Sequence, residues 1–253
     1  MNIKKIISFL TILAIVFASS TVCFAGNSIN ETQNITPTSY IKYMQDKLSS
    51  AKHSKDAAAI AIAESNISKF KSLSKEEQQK FINYISDPTL MKKAINNLSD
   101  LSTTANESTS LKNGDICITS ECLDSSSLKS SLKASNGAEK TYTISYQPKM
   151  EVLGITIFET INTLKYKGTS KKVTSITSFK SYVAVNYNPF AAADFKNKST
   201  EISDNAAVAS IDVVFSWSYK IGEIVTGSCR SHVIGFPGGE SQTWTEQLSG
   251  FGM

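Results

Sequence analysis

The sequence predicts an α+β chain, with a small N-terminal helical bundle followed by an antiparallel β-sandwich of immunoglobulin-like style. Three observations carry that reading. Apolar residues recur at helical spacing between residues 36 and 100, they alternate with a period of two from residue 140 onward, and a Ser- and Thr-rich stretch separates the two regimes. Helices grouped ahead of strands, not interleaved with them, argue against a parallel sheet.

The first 25 residues stand apart. Lys4 and Lys5 precede an uncharged, mostly apolar run from Ile6 to Ala18, and small residues occupy Cys23 and Ala25. This is the pattern of a secretory signal peptide over residues 1–25. A lipid anchor would call for a small residue before Cys23, where Val22 stands. Cleavage would leave 24 basic against 22 acidic residues, scattered with no basic stripe. That distribution offers nucleic acid no electrostatic footprint. The expected location is extracellular, and the Ser, Asn, Lys and Ile richness suggests a Gram-positive source.

The helical region, 26–100, carries explicit start signals. Thr36-Pro37 sets a cap before a proline at the first helical position, with Tyr40, Ile41, Met44 and Leu48 following on one face. Ser54 is read as the cap of a second helix, DAAAIAIAESNISKF. Ser74 with Glu77 forms a capping box ahead of Phe81, Ile82 and Ile85. Asp87-Pro88 ends that helix and opens another bearing Leu90, Met91, Ile95 and Leu98. Helices this short need a partner to pack on.

Residues 101–139 read as a Ser/Thr-rich linker around the short segment CITSEC, and as a protease-accessible one. The sandwich domain is assigned to 140–253, with six to eight strands expected. Pro148 is expected to break the first of them. A parity slip between Phe179 and Tyr182 points to a bulge or a break. From Ala207 to Ile221 every odd position is apolar, and hairpin parity favours a register in which Trp217 faces Cys229 and Val213 faces Val233. That register sends Arg230 and His232 to the opposite face.

Three cysteines follow the signal peptide. Cys117 and Cys122 are disulfide candidates for a local loop. Cys229 is either a buried thiol or the partner of one of them in a longer bridge. His232 lies three residues from Cys229, a spacing that puts the two on opposite strand faces and so disfavours metal or cysteine chemistry. His53 reads as a solvated surface residue. Glu240 and Glu246 form a conceivable glycosidase-type pair, although solvated strand positions are the favoured reading. No nucleophile elbow, zinc helix or phosphate loop is present, so no catalytic, metal or cofactor residues are assigned. In NYNPFAAADF, Phe190 and Phe195 are candidates for a contact loop, with packing under the sheet the favoured alternative.

These features lead to a secreted, non-enzymatic interaction protein that binds a protein or envelope component through its sandwich. The alternative is an exported antibacterial or pore-forming protein of bacteriocin type, made with a helical pro-region and capable of membrane contact. An exported hydrolase ranks behind both.

Overall fold

The computed structural model describes residues 35–101, 107–124, 138–218 and 223–249. The expected signal peptide, most of the second Ser-rich stretch and the tip of the long hairpin lie outside the described residues.

Among the described residues four helices precede the strands: α1 (Pro37–Ser54), α2 (Ala57–Ser72), α3 (Lys75–Ser86) and α4 (Pro88–Asp100). Their starts follow the chain's own capping chemistry. Thr36 caps α1 and exchanges hydrogen bonds with Ser39. At α3 the Glu77 N–H donates to Ser74 Oγ (3.1 Å) while the Ser74 N–H donates to Glu77 Oε2 (2.8 Å). Asp87 closes α3 and caps α4 through the Thr89 and Leu90 N–H groups. One cap differs from expectation. Ser54 belongs to α1, Lys55 takes the left-handed conformation that ends it, and Asp56 caps α2. A carboxylate at that position accepts the orphan N–H of Ala59 better than a hydroxyl two residues earlier could.

Nine strands follow among the described residues: β1 (Glu107–Leu111), β2 (Ile116–Asp124), β3 (Lys140–Val152), β4 (Ile155–Gly168), β5 (Val173–Asn186), β6 (Ala191–Ser203), β7 (Ala206–Ser218), β8 (Glu223–Gly235) and β9 (Ser241–Ser249). They make two antiparallel sheets, β1-β2-β3-β4-β5 and β6-β7-β8-β9. Within each sheet every strand neighbours the next in sequence. The sheets are therefore meanders, whereas an immunoglobulin-style sandwich is built with Greek-key connections.

Three expectations change here. Residues 107–111 and 116–124, inside the expected linker, form a hairpin that extends the first sheet; Asn113 and Gly114 supply the positive φ its turn requires. Serine and threonine carry no apolar alternation, but a strand needs only a well-ordered neighbour to pair with, and β3 provides one. Pro148 does not end β3. It sits opposite Ser120 of β2, and pairing toward β4 lapses beside it, as a residue without an N–H requires. Phe179 and Tyr182 share one strand, with Phe179 buried and Tyr182 half-exposed, and the three shifts against β4 fall on either side of them, between Val173 and Ser175, Ile176 and Ser178, and Val183 and Val185.

The two sheets pack face to face. Phe158 meets the edge of Phe215, with centroids 5.2 Å apart, and Tyr146 Oη hydrogen-bonds Thr245 Oγ1 at 3.0 Å. One end of this sandwich is closed by the helices. Tyr40, Phe70 and Phe81 form a ring cluster with centroids 5.0–5.2 Å apart. From it Tyr40 Oη donates to the Tyr187 carbonyl (2.8 Å), and Asn66 Nδ2 donates to that of Thr156 (2.8 Å). Asn188 Nδ2 returns a bond to Ile85 O. Helices and sheets thus share one buried cluster. The other end is closed by loops, where Tyr166 Oη donates to Phe236 O and the Tyr166 ring lies so close to Gly235 that a Cβ there would fall 2.1 Å from it. Among the described residues no helix is long and apolar enough to cross a membrane, a statement that does not bear on strands.

Candidate interaction face

In the second sheet, odd residues of β7 and β8 point inward and even residues outward. Ala207, Ala209, Ile211, Val213 and Phe215 are buried between the sheets. The parity agrees with the sequence expectation, but the register is offset by four residues. Val213 opposes Cys229 and Phe215 opposes Gly227, and a shift between Phe215 and Ser216 absorbs one residue before Ser218 meets Glu223. The expected Trp217–Cys229 pairing is thereby replaced.

The same parity builds a polar face on the outer side. Lys196, Asp212, Arg230 and Glu246 lie in one row across four strands, and Ser199, Ser210, His232 and Trp244 lie in the adjacent row. Asp212 is 5% exposed although it faces outward. Its carboxylate accepts Arg230 Nε at 2.6 Å, Arg230 Nη2 at 3.3 Å and Asn197 Nδ2 at 2.9 Å. Asn197 reaches it from an irregular stretch of β6 where its own φ is +48°. The Arg230 hydrogen bond holds the Asp212 carboxyl below the usual carboxylate range, against the opposing effect of burial. Arg230 Nη1 also lies 3.8 Å from Glu246, and His232 Nε2 lies 3.0 Å from Glu246 Oε1. The His232 and Trp244 rings stack with centroids 4.2 Å apart at 11°. Every group in the cluster is thus held by a neighbour.

The remaining sequence candidates fall elsewhere. Cys117, Cys122 and Cys229 are free thiols. Cys117 and Cys122 stand five residues apart on opposite faces of β2, so the expected local disulfide does not form. Five extended residues span about 16 Å, far beyond the roughly 7 Å limit between bridged Cα atoms. Cys229 is buried, and burial, helped by the charge of Asp212, pushes its thiol up to about 12. Its side chain points away from the face that carries His232, so the two form no pair. Cys122 instead lies 3.5 Å from Ser241 Oγ, which donates to Asp124. Phe190 and Phe195 are partly buried against the core; Phe195 lies within β6, opposite Val213, and the expected contact loop is largely strand. Glu240 precedes β9 and Glu246 stands six residues further along it, about 20 Å away at strand spacing. Glycosidase carboxyl pairs stand about 5–9.5 Å apart. His53 is exposed in the last turn of α1.

Two further features are structural. Ser120, Asn162, Ser231, Thr243 and Thr245 are buried polar residues of the two sheets, Thr245 and Ser120 hydrogen-bond the Tyr146 hydroxyl, and burial raises that hydroxyl to about 12. An apolar cavity between α4 and the sheets, lined by Met91, Ile95, Met150, Phe158 and Phe215, measures about 20 Å³. That is room for about one water molecule, and not for a substrate. Among the described residues no three His, Cys, Asp or Glu side chains are grouped to hold a metal ion.

Sequence reasoning placed Arg230 and His232 outward but missed Asp212, Glu246 and Trp244 as their partners. The signal available was parity alone, and parity cannot say which outward residues stand side by side. No protein-family model matches the chain, and no curated protein or solved structure matches it either.

Proposed function

We propose that this is a secreted, non-enzymatic protein that acts by binding a component of the cell envelope, and that its docking surface is the outer face of the second sheet. The observation that carries the reading is the mutually held set Asp212, Arg230, His232, Trp244 and Glu246 on the outward side of the second sheet. Side chains already fixed by their neighbours lose little freedom on binding, so such a surface is preorganised for a ligand. The separation of Cys229 from His232 and of Glu240 from Glu246 supports binding over catalysis. Export rests on the N-terminal sequence pattern.

A second reading, an antibacterial protein made with a shielding helical segment, draws on a different observation. The helices cover apolar residues at one end of the sandwich, among them Met150, Ile157, Phe158 and Phe215. Loss of that cover would expose them to other surfaces, including membranes.

Co-sedimentation of the secreted protein with intact Gram-positive cells and with isolated cell walls tests the first reading. Saturable binding to walls, with cells left viable, is the expected result. Dose-dependent killing together with dye release from liposomes would favour the second. Soluble fragments released from the walls would overturn the non-enzymatic assignment.

A further inference from the structure

We infer that the ligand of this face is an uncharged hexopyranose chain, an inference that rests on the binding reading above. The argument begins with charge. The row Lys196, Asp212, Arg230 and Glu246 contains two cations and two anions, and the guanidinium is shared by both carboxylates. Lys196 is the one cation of the row outside the Arg230 network, and a single lysine on a charge-neutral row gives little purchase to a polyphosphate or other polyanion, which would need several unpaired Lys or Arg groups. Nor does it suit a lipid surface, since the two central rows are polar apart from Trp244, and the outward-facing Val208, Val214 and Ile234 lie in the rows that flank them.

What the face does present matches a sugar ring part by part. A pyranose has a patch of C–H groups on one side and hydroxyls around its rim. An indole offers the flat apolar surface that such a patch stacks on, and Trp244 is only partly buried. Rim hydroxyls are both donors and acceptors, so they pair with a carboxylate on one side and with hydroxyl or amide groups on the other. Glu246 keeps about 46% of its side chain exposed while His232 and Arg230 fix its direction. Ser199 and Ser210, whose hydroxyls lie 2.7 Å apart, continue the row that contains His232 and Trp244. The strand spacing of about 4.8 Å places successive polar groups at roughly the interval of successive sugar rings, so a chain lying across the strands meets several of them. Neutral hydrogen bonding and one stacking surface, without net charge, define the ligand class.

The test uses the full secreted chain. The sequence has two tryptophans, so Trp217→Phe leaves Trp244 as the sole indole emitter. Titration of that variant with chitohexaose and with cellohexaose is expected to give a saturable shift in emission. Sedimentation with insoluble chitin and cellulose is expected to pull down the wild type, and Trp244→Ala and Glu246→Gln to weaken it about tenfold or more. The melting temperature of Glu246→Gln, which preserves size and strand pairing, checks that the loss is not one of folding. Saturable binding that both substitutions leave untouched would overturn the placement of the site. If neither polysaccharide binds while isolated cell walls still sediment the protein, the sugar inference fails and the envelope-binding reading stands. If walls do not sediment it either, both fail.

Discussion

The outward faces of the two sheets carry similar residue types and treat them in opposite ways. On the first sheet Glu121, Lys149, Glu151 and Glu159 lie near one another, with one close ion pair between Lys149 and Glu151 at 3.4 Å. The Glu159 carboxyl is pushed above its ordinary value, chiefly by desolvation and further by the charges of Glu121 and Glu151, with Lys149 opposing. On the second sheet Asp212 is more deeply buried, yet its carboxyl is held down by Arg230 and Asn197. Burial penalises a charge, and a well-aligned guanidinium overrides that penalty where the single Lys149 ammonium does not. The first face is a solvated surface whose charges coexist. The second is an assembled one whose charges fix each other's positions.

Breaking the second face has the larger consequence. Arg230→Ala leaves the Asp212 carboxylate buried with Asn197 alone. It should lower the urea unfolding midpoint by more than removal of Lys149 or Glu159 on the first sheet does, though by less than breaking a fully buried pair would, because Arg230 is 36% exposed. A midpoint shift no larger than that of the Lys149 variant would mean that the network is ornamental.

Acid removes the same contribution. Since the folded Asp212 pKa is depressed, its stabilisation is complete above the unfolded value of about 3.9 and is lost as pH falls through the lower folded value. The gap between wild type and Arg230→Ala should therefore narrow as pH falls below the unfolded carboxylate value and close once the folded carboxyl is protonated, as read from unfolding midpoints. Glu159 carries the opposite sign. Its raised folded pKa means that ionisation at neutral pH opposes folding, so Glu159→Gln should hold or raise stability by a few tenths of a kcal/mol at pH 7, with the gain vanishing in acid. Lys149→Ala should change stability by less than about 0.5 kcal/mol, since its ion pair is partly solvated.

Much of this architecture is legible in the sequence because it is local. The Thr36, Ser74 and Asp87 caps need only a few neighbouring residues, and inward or outward parity needs only one strand. What the sequence conceals is set by partners. The hairpin β1–β2 is built from ESTSL and ICITSECLD, whose hydroxyl residues look like linker until β3 is there to pair with them. The register of β7 on β8 depends on a shift at Ser216 and on loop length, neither of which alters the alternation. Asp212 and Trp244 join Arg230 and His232 only through that register, so the polar face emerges from pairing and not from composition.

The central claim is that the second outer face, and not the first, is the binding surface. The direct measurement is cell-wall sedimentation of two double variants against wild type, Trp244→Ala with Glu246→Ala on the second sheet and Lys180→Ala with Tyr182→Ala on the first. Tyr182 is the fair control, an aromatic residue 50% exposed on a sheet of similar size. The account predicts that the second-sheet variant loses binding by about tenfold or more while the first-sheet variant binds as wild type does. Equal binding by both variants, or loss confined to the first sheet, would contradict it.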